Sequence, residues 1–466
     1  MTPDPASVEQ ALATLFHAYD VRGPAPSVLT ESVAEAIGRC FAAAVEISDG
    51  RGGAVVGRDM RVTSPGLSSA LIRGITAAGA DVIDIGLAAT DMVYFASGQL
   101  SLPAVMVKAS HNPAGDNGFK LSRAGARPIG RHTGLDDIRT CVARLLNEPT
   151  LPTSVRAGAI TRQDVLPAYV DLTRRLVPVT GRAVRVVVDA ANAMAALTVP
   201  AVFGALDVDL VPLYFELDGS FPNHPADPLD PANLVALQAS VVDQRADLGL
   251  AFDGDADRCF VIDELGQIVS PSVIAAMIAE RELARHPGAT ILYNVVCSRV
   301  VPDVIAAAGG VGVRTAVGHA VIKAAMVEHG AVFGGEHSGH FYFRDFWSAD
   351  SGMLAALHVL AVVAGSPRPL SQTVDGYRRY VASGEINSTV PDAANVLGSV
   401  EARLRAETKV VGVDHLDGLT MSGTDWWFNL RASNTEPLVR LNVEAEDSAT
   451  MGRVRDSVLT VLRSDR

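Results

Sequence analysis

The fold is decided by the stretch that runs from Gly53-Ala-Val-Val-Gly57 through Ala77-Ala-Gly79 to Val82-Ile-Asp-Ile85. In this stretch a β-branched segment leads through a polar turn and a helical stretch to a small-residue junction and a second β-branched segment. Strands that alternate with helical segments at this spacing indicate a βαβ unit, whose sheet is covered by helices. The stretch therefore predicts an α/β fold.

The same plan recurs twice further along the chain. One copy runs from Val184-Arg-Val-Val-Val-Asp189 to Val208-Asp-Leu-Val211, and the other from Thr290-Ile-Leu-Tyr293 through Ala307-Ala-Gly309 to Val311-Gly-Val313. Three copies indicate a repeated α/β domain with mixed or parallel sheets. The tail differs, because it is predicted to contain a helix at 395–408, strands at 426–432 and 439–445, and a final helix at 448–462, which is typical of a small α+β domain.

The chain has 466 residues, more than one hydrophobic core usually supports. Pro-rich or turn-rich seams at 148–155, 265–272 and 365–371 predict the domain boundaries. We therefore expect four domains. They are the α/β domain I at 1–150, the α/β domain II at 151–267, the α/β domain III at 268–368 and the α+β domain IV at 369–466.

Composition narrows the class of protein and its location. The 4 cysteines are far apart and none lies in a C-x-x-C pair, so the sequence predicts neither a disulfide framework nor a thiolate zinc site, and favours a reducing cytoplasm. The longest apolar stretch, Met353 to Gly365, is too short to span a bilayer, and no basic residue precedes an apolar run near the N-terminus. We expect a soluble protein without a secretion signal.

The formal net charge of -13 disfavours nucleic acid and anionic membranes as partners, because the long-range field is repulsive. An anionic substrate must then be held by locally concentrated Arg and Lys side chains.

An acidic loop, Asp253-Gly-Asp-Ala-Asp257-Arg258, lies between two apolar segments that are predicted to be strands, 247–252 and 259–263. Three carboxylates this close repel one another unless a cation neutralises them. An EF-hand is excluded, because Arg258 stands where that loop needs Gly and because strands flank the loop. The alternatives are a solvated acidic turn and a hard, oxygen-only metal site, and we predict Mg²⁺.

Ser110 lies in a polar loop, Lys108-Ala-Ser-His-Asn-Pro113, that ends an apolar segment. A strand end at this point would deliver the hydroxyl into a cleft, although most serines in such loops bond backbone groups. The lack of a G-x-S-x-G elbow argues against acyl transfer.

Four other short segments combine polar groups with turn residues. The glycine-rich loop Gly334-Gly-Glu-His-Ser-Gly-His340 suits a polyhydroxylated ligand, with metal binding by its two histidines as the alternative. The segment Arg431-Ala-Ser-Asn-Thr-Glu-Pro437 is either a phosphate cradle or an ordinary turn. Arg22 precedes a Gly turn and His319 stands at a strand-to-helix junction, and both also fit structural roles.

Taken together, these segments resemble the α-D-phosphohexomutase family, the phosphomannomutases and phosphoglucomutases, over nearly the whole chain. Several motifs occur in the family's order, which is far more specific than any one of them. The matching segments are Tyr19-Asp-Val-Arg-Gly23, Val56-Gly-Arg-Asp59, Ala109-Ser-His-Asn-Pro113, Asn117-Gly-Phe-Lys120, Phe221-Pro-Asn-His224, Asp253-Gly-Asp-Ala-Asp-Arg258, Gly335-Glu-His-Ser-Gly-His340 and Arg431-Ala-Ser-Asn-Thr435.

The resemblance implies three similar α/β domains, a last domain related to the TATA-binding-protein-like fold, and an active site in a central cleft. It implies that Ser110 is the phosphoserine and that Ser110, Asp253, Asp255 and Asp257 surround Mg²⁺. Glu336 and Ser338 match residues that hold sugar hydroxyls, and Arg431, Ser433, Asn434 and Thr435 match the distal phosphate clamp. Positions that the family associates with the transferred phosphate, proton handling or substrate contact are occupied by Tyr19, Arg22, Lys120, Arg258, His319 and His340. One position departs from some bacterial members, since Val296 stands where they carry a substrate-binding lysine.

The activity that the resemblance implies moves a phosphoryl group between the 6- and 1-positions of a hexose through phosphorylated Ser110. A hexose 1,6-bisphosphate is the intermediate and activator, and either His319 or Lys120 is the general base. The loop at 335–340 is most similar to that of the mannose and mannose/glucose members, so we expect mannose 6-phosphate as substrate and glucose phosphate as a second. The alternatives are a glucose or glucosamine phosphate mutase, a non-catalytic phosphosugar-binding protein and a metal phosphatase. A monomer or homodimer that serves nucleotide-mannose synthesis is expected.

Overall fold

The computed structural model describes residues 5–148, 156–390, 392–432 and 438–464, and these form two compact units. Unit 1 contains the described residues up to Val269 together with Ser338–Ser371. Unit 2 contains Ser270–His337 and the described residues from Gln372 onward.

The first part of unit 1 is built on a seven-stranded mixed sheet in the order β1-β5-β4-β2-β3-β7, with β6 paired to β5. β2 is parallel to β3 and β4, whereas β5 is antiparallel to β4 and β1. The elements are α1 Pro5–Leu15, β1 Val21–Pro24, α2 Glu31–Ala44, β2 Gly53–Arg58, α3 Ser64–Ala77, β3 Asp81–Leu87, α4 Thr90–Leu100, β4 Ala104–Val107, β5 Asp116–Arg123, β6 Arg127–Pro128, α5 Leu135–Asn147 and β7 Ile160–Arg162.

The second part of unit 1 repeats the plan with a five-stranded sheet in the order β12-β11-β10-β8-β9. β8 is parallel to β9 and β10, and β10 is antiparallel to β11. The elements are α6 Leu166–Leu176, β8 Val184–Asp189, α7 Ala195–Phe203, β9 Val208–Leu213, α8 Val235–Asp243, β10 Leu248–Phe252, β11 Cys259–Asp263 and β12 Ile268–Val269.

A third α/β segment follows, in which β13 is parallel to both β14 and β15. Its elements in unit 2 are α9 Pro271–Arg285, β13 Thr290–Asn294, α10 Val300–Ala307, β14 Val311–Thr315, α11 His319–His329 and β15 Phe333–Gly335. The chain then contributes to unit 1 the antiparallel pair β16 Phe341–Phe343 and β17 Ala349–Asp350 and the helix α12 Gly352–Ala364. The predicted βαβ units are thus confirmed in all three copies.

The C-terminal part of unit 2 is an antiparallel sheet in the order β18-β22-β21-β20-β19, packed against two helices. After α13 Leu370–Asp375, its elements are β18 Val381–Thr389, α14 Ala393–Glu407, β19 Gly412–Asp414, β20 Leu419–Ser422, β21 Trp426–Ala432, β22 Leu438–Ala445 and α15 Ser448–Ser464. The predicted α+β tail is confirmed, with three additional strands, β18 to β20, that the sequence pattern did not indicate.

One expectation from the cysteines was wrong. Cys40 on α2 and Cys141 on α5 form a disulfide, although 101 residues separate them in sequence. The two helices pack against each other in the first domain, a neighbourhood that linear spacing does not reveal. Cys259 and Cys297 are buried thiols. Among the described helices, none is long and apolar enough to cross a membrane.

The first turn of α4 ties together three parts of unit 1. Thr90 donates its backbone N–H to the carbonyl of Asp255 (3.0 Å), and its hydroxyl donates to the carboxylate of the same residue. Asp91 accepts hydrogen bonds from the Tyr169 hydroxyl of α6 (2.6 Å) and from the Ser351 hydroxyl (2.7 Å), which also caps α12. This buried network fixes the acidic loop to the first domain.

The pKa of the buried Asp91 carboxyl should make the stability of the protein depend on pH. Burial raises its pKa to about 7, against about 3.9 in an unfolded chain. The folded state therefore binds more protons between pH ~4 and ~7, so the free energy of unfolding falls as pH rises through this window, by about 1.4 kcal/mol per pKa unit. Asp91→Asn lacks this titration, so we expect the stability of the wild type relative to the variant to be greater at pH 5 than at pH 8 in denaturant unfolding. A difference that does not change with pH would contradict the assignment.

Candidate active site

The acidic loop lies between β10 and β11, at the carboxyl end of a strand that is parallel to β8. Asp253, Asp255 and Asp257 are buried, and one carboxylate oxygen from each lies within 4.8 Å of the others. The left-handed backbone at Ala256 (φ 60°) turns the loop so that alternate side chains converge. Strand pairing on both sides thus forces three carboxylates into one small volume.

The three carboxylates fit a divalent cation. Among the described residues, Asp255 Oδ1 and Asp257 Oδ1 are buried without a hydrogen-bond partner, and an unsatisfied buried oxygen of this kind is costly. An oxygen-only set of this type is the donor chemistry that Mg²⁺ prefers. Asp253, Asp255 and Asp257 are therefore able to hold Mg²⁺ at this loop.

Each carboxylate of the loop also lies within 3.2 Å of a cationic side chain. Arg258 Nε lies 2.9 Å from Asp253 Oδ2 and Lys108 Nζ lies 2.9 Å from Asp255 Oδ2. Lys120 Nζ lies 3.2 Å from Asp257 Oδ2. Arg258, Lys108 and Lys120 are all buried, so the site is rich in charge of both signs and screened from water.

The titration of the loop reflects this crowding. Burial raises the pKa of the Asp253 carboxyl to about 7 despite the nearby Arg258 guanidinium. Burial also opposes ionisation of Asp257, but the ammonium groups of Lys120 and Lys108 hold the pKa of that carboxyl below its usual value. Like charges at short range separate the two pKa values.

Ser110 lies against the acidic loop. Its hydroxyl donates a hydrogen bond to Asp253 Oδ2 (2.7 Å), and Arg258 Nη2 lies 3.4 Å from the same hydroxyl oxygen. Ser110 is buried and has a left-handed backbone (φ 48°) at the end of β4. The structure thus brings together a hydroxyl of the first domain and carboxylates of the second, which are 143 residues apart.

His111 lies closer to Ser110 than sequence adjacency suggests, with Nδ1 3.3 Å from the hydroxyl oxygen. However, the same nitrogen faces the Arg258 guanidinium, which lowers the pKa of His111 far below its usual value. A nitrogen that accepts from Arg258 cannot also take the serine proton, so the pair does not form a Ser-His nucleophile and base.

Lys120 lies in a pocket of anionic and aromatic groups. Its ammonium is 3.6 Å from Asp350 Oδ2 and 5.2 Å from the centre of the Tyr94 ring. Burial alone would lower the pKa of Lys120, but Asp350, Tyr94 and Asp257 raise it well above its usual value. In this state Lys120 is a fixed positive charge.

Arg22 belongs to the same unit and contacts the Ser110 loop. Its guanidinium donates to Asn112 Oδ1 (2.8 Å) and to Asp20 Oδ2 (2.6 Å). Arg22 thus combines an ion pair with Asp20 and a contact to the Ser110 loop. Tyr19, three residues before Arg22, is half-buried beside Gly130.

His340 and Ser338 complete the predicted residues of unit 1. The Ser338 hydroxyl and His340 Nδ1 are 3.0 Å apart, and His340 Nε2 lies 3.7 Å from Asp257 Oδ1. His340 is also bridged through its backbone to Arg258. These contacts place a half-buried imidazole at the edge of the carboxylate cluster.

Unit 2 holds the remaining described candidates. Glu336, at the end of β15, is buried and accepts hydrogen bonds from Asn294 Nδ2 (2.9 Å) and from the N–H of Gly318 (3.2 Å). Gly318 precedes His319, the first residue of α11. Arg431 on β21 lies 3.8 Å from Glu385. Ser433, Asn434 and Thr435 lie outside the described residues.

Three residues that contact the candidate site residues were not predicted from the sequence. Lys108 had a signal, since it is a lysine at the end of an apolar strand two residues before Ser110. Asp350 and Asn294 had none, because their partners, Lys120 and Glu336, are distant in the chain.

A buried hydroxyl set against three carboxylates and three cations defines a site for the transfer of an anionic group, of which phosphoryl is the usual biological case. Comparison with known proteins identifies the class. Successive parts of the chain match the family description Phosphoglucomutase/phosphomannomutase, with alpha/beta/alpha domain I at residues 13–148, domain II at 167–266, domain III at 270–380 and the C-terminal domain at 385–461.

Full-length relatives carry consistent names. The chain is 38% identical over 457 residues to a phosphomannomutase of Salmonella typhimurium, covering 96% of this chain and 98% of the relative. It is 34% identical to a phosphomannomutase/phosphoglucomutase of Pseudomonas aeruginosa, covering 95% and 94%. A crystal structure of a phosphoglucomutase/phosphomannomutase family protein of Burkholderia thailandensis superposes with a TM-score of 0.87 at 33% identity, covering 97% of each chain. The chain belongs to the phosphoglucomutase/phosphomannomutase family and is an intramolecular phosphotransferase acting on hexose phosphates.

Proposed function

We propose that the protein is a phosphomannomutase that interconverts mannose 6-phosphate and mannose 1-phosphate through a phosphorylated Ser110, and that it also acts on glucose phosphates. The observation that carries the proposal is the contact of the Ser110 hydroxyl with Asp253 Oδ2 at 2.7 Å, beside Arg258. This contact supports the proposal because the Ser110 oxygen, as the attacking or leaving atom, would then react beside the acidic loop that fits a divalent cation.

In the proposed mechanism Asp253, Asp255 and Asp257 would hold Mg²⁺, which when bound would supply positive charge to neutralise the phosphoryl group. The chain's own cations act from other sides: Arg258 is directed at the serine oxygen, and Lys120 lies beside Asp257. Phosphoryl transfer depends mainly on positioning and on such charge stabilisation.

Proton handling is assigned to His319 in this proposal, with Lys120 as the alternative base. A lysine must lose its proton before it can act as a general base. The raised pKa of Lys120, caused by Asp350, Tyr94 and Asp257 against the effect of burial, keeps its ammonium charged. His319 stands at the start of α11, next to the Gly318 amide that donates to Glu336.

Substrate binding is assigned to two groups of side chains. Glu336 and Ser338 bind sugar hydroxyls, and Arg431 with Ser433, Asn434 and Thr435 binds the phosphate that is not being transferred. Tyr19, Arg22 and His340 contact the substrate or the transferred phosphate. Since a hexose 1,6-bisphosphate must turn end for end between the two transfers, these groups must accept the sugar in two orientations.

The Glu336 assignment gives a specific prediction. Glu336→Gln keeps the size and one carbonyl acceptor but removes the negative charge, so a hydrogen bond to a sugar hydroxyl, worth about 1.5–3 kcal/mol with a charged acceptor, is weakened or lost. We expect kcat/KM to fall about tenfold to a hundredfold, with phosphorylation of Ser110 retained. The matched control is the exposed Glu407→Gln on α14, where kcat/KM should not change. A normal kcat/KM in Glu336→Gln would contradict the assignment.

The proposed function is tested by measuring kcat/KM for mannose, glucose and glucosamine 1-phosphates with a hexose 1,6-bisphosphate activator present. The proposal expects mannose first, glucose second and glucosamine well below both. A preference for glucosamine would replace the assigned substrate, and steady release of inorganic phosphate without isomer exchange would indicate a phosphatase. A cytoplasmic location is also proposed, although the Cys40–Cys141 disulfide removes the cysteine argument for it; recovery in the cytoplasmic fraction of lysed cells would support it, and recovery elsewhere would contradict it.

A further inference from the structure

Arg61, in the turn between β2 and α3, has one of the largest fully buried side chains of the described chain. Its guanidinium donates to four backbone carbonyls of a single loop, at distances of 2.7 to 3.0 Å. The acceptors are the carbonyl oxygens of Ser110, Asn112, Pro113 and Asp116. All of these carbonyls belong to the loop that carries the candidate phosphoserine.

That loop needs an external anchor. Ser110 has φ 48°, a left-handed conformation that a non-glycine residue adopts at a cost and keeps only where its surroundings enforce it. The Ser110 carbonyl is also approached by Gly254 of the acidic loop, where an added Cβ would lie only 2.3 Å from the carbonyl oxygen. The direction of the Ser110 carbonyl therefore decides whether its hydroxyl reaches Asp253.

Arg61 is itself held rigidly. Asp59 accepts the backbone N–H of Arg61 (3.0 Å) and its carboxylate lies 3.4 Å from Arg61 Nε. The ring of Phe221 covers the guanidinium at 5.0 Å. A planar fork with five donors can bind several carbonyls at once, which an ammonium cannot do.

We propose that Arg61 is a positioning residue for phosphoryl transfer, which holds the 110–116 loop so that the Ser110 hydroxyl is directed at the acidic loop. The inference rests on the proposed function, because it assigns Arg61 a role in charging Ser110. Arg61 acts through the backbone of the loop and touches no reacting atom.

The test compares Arg61→Lys and Arg61→Ala with the wild type. The matched control is Arg73→Ala, an arginine of the same domain whose side chain is 53% exposed and pairs with Glu31 and Glu35 at 3.3 Å. Five quantities are measured: the melting temperature, hydrogen exchange of the 111–118 amides in unphosphorylated protein, the rate at which a hexose 1,6-bisphosphate phosphorylates Ser110, and the kcat and KM of the mutase reaction. Millimolar guanidinium is then added to Arg61→Ala.

We expect Arg61→Lys to fold, to exchange the 111–118 amides faster, and to lose about a hundredfold in phosphorylation rate and kcat, as a misplacement of about 1 Å does. KM should change little, since the substrate groups are untouched. Guanidinium should restore part of the rate in Arg61→Ala, which a merely structural loss would not allow. The control should behave as the wild type.

Wild-type exchange and phosphorylation in a folded Arg61→Lys would overturn the proposal. Unfolding of both variants would also overturn it, because Arg61 would then be required by the whole domain and not by the loop. A wild-type protein that never takes up phosphate on Ser110 would refute only the proposed function, and the exchange measurement would still decide whether Arg61 anchors the loop.

Discussion

Ser110→Ala is expected to abolish mutase turnover, with kcat reduced by roughly three orders of magnitude or more, as follows when a nucleophile is removed. The variant loses the oxygen that accepts and donates the phosphoryl group. The fold should persist, because the substitution removes only the hydroxyl contacts with Asp253, Arg258 and His111 and leaves the Arg61 contacts to backbone carbonyls in place. Turnover is measured by coupled assay and folding by thermal unfolding.

The matched control for this variant is Ser69→Ala, which removes an exposed hydroxyl of α3 in the same domain. Its kcat should equal that of the wild type. A Ser110→Ala protein with near-normal kcat would refute the assignment of the phosphorylated residue, and an unfolded one would show that the hydroxyl is needed for stability.

Asp255→Asn is expected to weaken Mg²⁺ binding about tenfold or more and to slow phosphorylation of Ser110 together with it. The substitution removes one negative charge and makes one of the two oxygen positions an amide nitrogen, which cannot ligate. It also removes the nearer of the two charge partners of Lys108, the Asp255 carboxylate at 2.9 Å, and leaves the Asp257 carboxylate at 3.9 Å. Calorimetric titration with Mg²⁺ measures binding without reference to activity.

Asp209→Asn is the control for the metal prediction, since Asp209 is a 64% exposed carboxylate of the same domain. Its Mg²⁺ titration should match that of the wild type. An unchanged titration in Asp255→Asn would show that the acidic loop does not hold the ion, whereas weaker binding with normal phosphorylation would separate the metal from the transfer step.

The parts of the fold that the sequence predicts are those in which local pattern and burial agree. The segments at 53–57, 184–189 and 290–293 are runs of β-branched or apolar residues because their strands are covered on both faces, and all three are strands with parallel neighbours. By contrast, the missed strand β18 (Val381–Thr389) is largely exposed and polar. Such an edge strand is held by pairing with β22 and not by its own pattern.

In the candidate site, too, the contacts within one short segment could be predicted from sequence, and the contacts between distant segments could not. The spacing of Asp253, Asp255 and Asp257 on one turn is a local feature, and the turn brings their side chains together as that spacing implies. The contacts of Asp350 with Lys120 and of Asn294 with Glu336 depend on tertiary packing, so sequence alone gave no signal for them. The Cys40–Cys141 disulfide was missed for the same reason.

The most direct test of the account is the intact mass of the purified protein before and after incubation with a hexose 1,6-bisphosphate and then with mannose 6-phosphate, followed by peptide mapping. We expect one added phosphate, located on Ser110, which the bisphosphate installs and the hexose monophosphate removes. A protein that interconverts the two mannose phosphates while Ser110 never carries phosphate would contradict it.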